Sequence, residues 1–249
     1  MRILSLIVLA ILLSFLSFRY AVDPPKPEVK SIEPLGIPAG KTTRIVLYGE
    51  NLNPKTLSIK SPITVKLIES KATDEKTKAK GTRQVVLEAV VPANCPRDSF
   101  ELTLANPDGT KTTAMLPVVE SVVVEVPIKK PASAFEQAMP LPGPSVAITG
   151  QLDGDAPDLI SFTAKTGETY DLTLLAGRGG SQLDAVLRDR DSRRLSRALS
   201  VGNKKKDRHI SFHPPVPGLY YIEITEAEAK GGAGYNYRLT ILRKGTPVN

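Results

Sequence analysis

The sequence predicts an all-β protein of two β-sandwiches joined by a proline-rich segment. Three observations carry that expectation. Apolar residues recur with a period of two through short runs rich in Val, Ile, Leu and Thr, which is the pattern of half-buried strands. Turn residues separate those runs at roughly the 8- to 12-residue spacing of an antiparallel sandwich. Pro127, Pro131, Pro140, Pro142 and Pro144 fall together between two such stretches, a density that stiffens a chain and divides folding units.

The chain opens on MRILSLIVLAILLSFLSF, in which Arg2 precedes a sixteen-residue run from Ile3 to Phe18 without a charge. A spanning helix needs about 20 apolar residues, so residues 1–21 are expected as an export signal. Cleavage after Ala21 would leave Arg19 at the −3 position, where a small residue is preferred. An uncleaved N-terminal anchor is therefore the alternative. No Cys follows the run for lipid attachment.

A first unit is expected over residues 27–121. The runs Thr43 to Tyr48, Thr64 to Ile68 and Gln84 to Val91 have strand length and many β-branched residues. KATDEKTKAKGT, residues 71 to 82, reads as a charged hairpin tip. Phe100, Leu102 and Leu104 alternate with Ser99, Glu101 and Thr103. Asn106-Pro107-Asp108-Gly109 then supplies turn chemistry, Pro fixing φ and Gly accepting a positive φ, so Thr112 to Val118 returns as the partner strand.

Residues 122–143 are expected as the linker, with only ASAFEQAM able to make a short helical turn. Strands resume in a second unit over 144–245. Ile160, Phe162 and Ala164 alternate, as do Tyr170, Leu172 and Leu174, then Tyr220, Ile222 and Ile224, and finally Tyr235, Tyr237, Leu239 and Ile241.

Composition supports a packed core of Val, Leu and Ile, since hydrophobic residues make up 41%, aromatics only 5%, and Trp is absent. Cys95 stands alone, which excludes an intrachain disulfide and leaves zinc without its usual partners. His209 and His213 lie four apart on a strand pattern, roughly 13 Å at ~3.3 Å per residue, too far to share a metal. Ser211 between them lacks a G-x-S-x-G setting. AGRGGSQ has Gln182 where a dinucleotide fingerprint needs its third Gly, and no helix follows. No catalytic residues are expected, and the protein is read as not an enzyme.

Two charged stretches remain. LDGDAPDLISF holds Asp153, Asp155 and Asp158 within six positions. It reads as an acidic turn entering a strand, with no cofactor; calcium held by these acids and Asp184 is the alternative, but an EF-hand would need its Gly at position six and Glu at twelve. Between Ala185 and Ile210 lie Arg188, Arg190, Arg193, Arg194, Arg197, Lys204, Lys205, Lys206 and Arg208, against Asp189, Asp191 and Asp207, so this segment carries +6 of the chain's +7. Such clustering suits a polyanion, while the bland alternative is a solvated hairpin. Few aromatics are interleaved for stacking on bases, so no specific nucleic acid is expected.

The second unit resembles the bacterial pre-peptidase C-terminal domain. The carriers are FEQAMPLPGPSVAITGQLDGDAPDLISFTAKTGETYDLTLLA, SQLDAVLRDRD, PGLYYIEI and GYNYRLTI, in the family's order. The first unit resembles an IPT/TIG immunoglobulin-like domain through PEVKSIEPLGIPAGKTTRIVLYGENL and the NPDG hairpin. The resemblance implies an Ig-like sandwich followed by a jelly-roll-like one, on a secreted protein, without an active site in either. It also implies calcium binding in some relatives through the acidic turn and the preceding linker. Here the family's Glu-Pro-Asn is absent from the linker, and GNKKKDR, which repels a cation, replaces the acids usual after the l-D-x-x-l strand.

Together these readings give an exported, non-catalytic binding protein, secreted, periplasmic or at the cell surface. Its expected partner is an extracellular polymer or envelope component: a polysaccharide, a polyanion or a protein surface. Membrane contact is expected only through an uncleaved N-terminal segment. An accessory or remnant module of a secreted peptidase system and a structural spacer in a surface layer are the alternatives.

Overall fold

A computed structural model describes residues 24–59, 63–95, 98–121, 124–130, 132–201 and 207–244. The expected export signal, residues 1–21, lies outside them, as do Pro131 and Lys204 to Lys206. The described chain is all-β, with strands in four sheets and only three-residue 3-10 turns besides.

The first half holds β1 (Glu28–Glu33), β2 (Ile37–Pro38), β3 (Thr42–Glu50), β4 (Thr56–Ile59), β5 (Thr64–Ala72), β6 (Arg83–Val90), β7 (Ser99–Ala105) and β8 (Lys111–Val119). One sheet runs β1-β3-β6-β5 and the other β2-β8-β7-β4. Strand alternation sends Phe100, Leu102 and Leu104 inward against Ile45, Leu47, Leu87 and Leu116. The NPDG turn closes the β7–β8 hairpin, with Gly109 at φ 85. The charged stretch 71–82 joins β5 to β6 as expected.

The second half holds β9 (Val124–Pro127), β10 (Met139–Pro140), β11 (Ser145–Gln151), β12 (Asp158–Ala164), β13 (Thr169–Leu175), β14 (Ala185–Asp191), β15 (Ser196–Ser200), β16 (Arg208–Phe212), β17 (Gly218–Glu226) and β18 (Asn236–Lys244). Its sheets run β10-β12-β17-β14-β15 and β16-β13-β18-β11-β9. Without Trp, four rings do the bulky filling: Phe162, Tyr170, Phe212 and Tyr220 meet with centroids 4.7 to 6.4 Å apart. Leu172, Leu239, Ile241 and Ile222 complete this core.

Within the stretch expected as a linker, residues 122–143, described residues join the sheets and core of the second half. β9 pairs in parallel with β11, and β10 with β12, while Ile128, Ala132 and Met139 are buried in the second core. The prolines permit this because Pro127 and Pro140 end two edge strands, where a missing N–H removes no central ladder bond.

The outer face of the sheet containing β13 and β18 also departs from the simple alternation, since it is not given over to solvent. Leu35 of the first half abuts Gly179, and a Cβ at Gly36 would meet both Val119 and Leu175. Asn236 donates to Ser31 Oγ at 3.2 Å. Arg178 bridges the halves, donating to the Asp98 carbonyl at 2.7 Å and to Asp207 Oδ2 at 2.7 Å. On that face Arg238 is only 1% exposed, held by Glu125 and Thr240 Oγ1.

Candidate functional site

The basic segment folds mainly as the β14–β15 hairpin at one edge of its sheet. Period-two geometry buries Leu187 and Asp189 and turns Arg188 and Arg190 to the outer face. There Arg188 stands directly opposite Glu223 of β17. Its Nη1 donates to Glu223 Oε1 at 2.9 Å and to Thr225 Oγ1 at 3.2 Å. Arg190 donates to the same carboxylate, through Nε to Oε2 and through Nη2 to Oε1 at 3.0 Å. Two guanidinium groups therefore share one carboxylate.

The turn after β14 is built on Asp191. Its Oδ1 accepts the amides of Arg193 at 2.9 Å and Leu195 at 3.0 Å, and its Oδ2 accepts Arg197 Nε at 3.0 Å. Burial opposes the Asp191 charge, but these donors hold its carboxyl below the usual range. Arg194 lies over the Phe135 ring, 4.6 Å from its centroid, and pairs with Glu136 at 2.5 Å. Phe135 meets Tyr221 edge-on at 4.9 Å. Arg193 is exposed, and among the described residues it has no acidic partner. With Arg197, Val216, Pro217 and Leu219 it lines a hollow of about 270 Å³.

The structure thus gathers Arg188, Arg190, Arg193, Arg194 and Arg197 at one corner. Arg208 is placed differently. It is buried on β16, donating through Nε to the Ala185 carbonyl and through Nη2 to Asp184, both at 2.6 Å. Lys204, Lys205 and Lys206 fall outside the described residues.

The three aspartates of the acidic turn, Asp153, Asp155 and Asp158, separate. Asp153 and Asp155 are exposed, while Asp158 is fully buried, bonded to Lys130 Nζ and to the Tyr237 hydroxyl. Asp184 is taken up by Arg208. Among the described residues no group of three or more His, Cys, Asp or Glu side chains is placed to hold a metal ion. His209 and His213 are exposed, and Ser211 donates to Asp171 Oδ1 at 2.8 Å.

Asp189 was not singled out by sequence reasoning. It is fully buried, neither carboxylate oxygen has a hydrogen-bond partner, and burial pushes its pKa up. The signal that finds it is the alternation itself, which places Asp189 on the same inner face as Leu187.

No family model matches the chain, and no curated protein does. Among solved structures, the pre-peptidase C-terminal domain of a Bacillus anthracis collagenase is similar at 20% identity and a TM-score of 0.34, over 42% of this chain and 93% of that one. The periplasmic inhibitor of g-type lysozyme from Aeromonas hydrophila is similar at 18% identity and 0.33, over 49% and 96%. A Bacteroides ovatus protein of the mixed-linkage glucan utilization locus, in complex with a heptasaccharide, is similar at 12% identity and 0.28, over 88% and 74%.

Proposed function

We propose that this protein is an exported, non-catalytic binding module of the cell envelope or extracellular space, and that its β14–β15 corner holds an anionic polymer such as an acidic polysaccharide. The observation that supports the reading is the convergence of five arginines there. Arg188 and Arg190 divide a single carboxylate, so the pair keeps a net positive charge, and its planar donors are already oriented. Arg193 adds a charge without an acidic partner among the described residues, and Lys204 to Lys206 follow close in sequence. In this reading the chain has two β-sandwich units, an immunoglobulin-like one over 27–121 and one like a pre-peptidase C-terminal domain over 144–245, the latter joined by β9, β10 and the buried Ile128, Ala132 and Met139 that precede it.

Catalytic silence is part of the proposal. Ser211 is bonded to a carboxylate rather than to a histidine, so no activated nucleophile is expected. Purified protein should hydrolyse neither casein nor common esters or glycosides. The test of ligand class is a screen of acidic and neutral polysaccharides at two salt concentrations. Retention by acidic polymers that salt abolishes supports the reading. Retention by neutral glycans alone, indifferent to salt, contradicts it.

A further inference from the structure

The seam between the two halves leaves a cavity of about 400 Å³. Ile32, Glu33, Leu35 and Lys80 wall it from the first half, and residues of β9, β11 and β18 wall it from the second. That volume lies in the range of small-molecule sites, which favour such junctions.

The polar groups at the walls are held from behind. Glu125 on β9 lines the cavity, and its two oxygens accept from Arg238, at 3.2 Å through Nε and 3.3 Å through Nη2. Arg238 is only 1% exposed. Taking a guanidinium out of water is costly, and what it secures here is the orientation of a carboxylate at a cavity wall. On the side of the first half Lys80 pairs with Glu33, and its Nζ lies 5.2 Å from the centre of the Tyr48 ring. Two carboxamides also line the cavity. Asn236 donates across the seam to Ser31 Oγ at 3.2 Å, and Gln151 donates to Asp153 Oδ1 at 3.1 Å.

These groups select the class of ligand. Glu33 and Glu125 are balanced by Lys80 and Arg238, so the walls offer an ion no net charge. A purely apolar guest would strip water from two carboxylates, an ammonium and two carboxamides without replacing the hydrogen bonds. A polyol meets both conditions. Its hydroxyls donate to Glu33 and Glu125 and accept from Lys80, while its C–H faces rest on Ile32, Leu35 and Val126. We propose that the seam cavity binds a short neutral saccharide. This site is separate from the β14–β15 corner and does not rest on the anionic-ligand reading there.

The test is calorimetric titration of the full chain with cellobiose, maltose, lactose and diacetylchitobiose, at low and high salt. Gluconate, putrescine and hexanol stand for anionic, cationic and apolar guests. The expected result is that at least one disaccharide binds with a Kd of about 1 mM or tighter, indifferent to salt, while the other three guests do not bind. Thr149→Trp fills the cavity from β11 and should abolish binding. Gln151→Ala removes one hydrogen-bonding amide and should weaken binding about three- to tenfold. If Thr149→Trp melts early, Gln151→Ala decides alone. No disaccharide binding overturns the inference, as does tighter binding of gluconate, putrescine or hexanol, or unaltered disaccharide binding in either folded variant. Heparin retention, measured alongside, should be the same in both variants as in the wild type, so the reading of the β14–β15 corner stands or falls by itself.

Discussion

The hydroxyl of Tyr237 on β18 donates to Oδ2 of Asp158 on β12 at 2.7 Å, so one hydrogen bond ties the two sheets of the second sandwich together across their core. The other oxygen of Asp158 accepts Lys130 Nζ, so both oxygens of this fully buried carboxylate are satisfied from within the protein. Burial and the adjacent carboxylate push the Tyr237 pKa well above its ordinary value, so it remains a neutral donor.

Tyr237→Phe should therefore cost about 1–3 kcal/mol, because it leaves a buried carboxylate oxygen without its donor. The ring itself stays, so packing against Gly150 is preserved. Denaturant unfolding of the second sandwich checks this, and an unchanged midpoint would count against the cross-sheet role.

Asp189 gives a prediction of opposite sign. Burial raises its pKa, so the folded state holds a proton that the unfolded chain releases near pH 4. For a carboxyl raised in this way, stability is highest at low pH. It falls as pH climbs from the unfolded value through the raised one, and the penalty persists above. Asp189→Asn should gain about 1–3 kcal/mol at pH 7 by removing a buried charge without hydrogen-bond partners. The gain should shrink towards pH 4. Melting curves at the two pH values check it, and equal gains at both would show that charge is not the cause.

The parallel pairing of β9 with β11 predicts where the second half can be cut. A fragment of residues 120–244 should fold, while one of 132–244 loses β9 and the buried Ile128. The shorter fragment should be less stable by about 2 kcal/mol or more, the usual cost of emptying a buried aliphatic site. Chemical denaturation of the two fragments measures the difference, and equal stability would mean that β9 is ornamental to this core.

The places where sequence reading stopped have physical causes. Phe100 to Leu104 and the NPDG turn were legible because alternation and turn chemistry are local. β9 and β10 were hidden because proline suggests a joint, and only the sheet order shows that these are edge strands that can spare an N–H. The burial of Arg238 was not legible, because alternation separates two faces without saying what covers the outer one. Asp158 read as part of an acidic turn entering a strand, with calcium the alternative, because its partners, Lys130 and Tyr237, lie 28 and 79 residues away in the chain. The basic cluster was visible as charge. That Glu223 and Glu136 reach back to Arg188, Arg190 and Arg194 was not, since those contacts arise only when β14 pairs with β17 and residues near 135 fold over the sheet.

If the β14–β15 corner captures an anionic ligand electrostatically, both salt and charge reversal must weaken binding. The most direct measurement is the affinity for a heparin-like polymer as a function of salt, for the wild type and for Lys204→Glu, Lys205→Glu and Lys206→Glu combined. Binding by the wild type should fall steeply as salt rises past roughly 0.15 M, where the screening length is about 8 Å. The variant, compared at an unchanged melting temperature, should bind at least about tenfold more weakly, because charge reversal removes the attraction. Equal affinity of the two proteins, or an affinity that ignores salt, would contradict the claim.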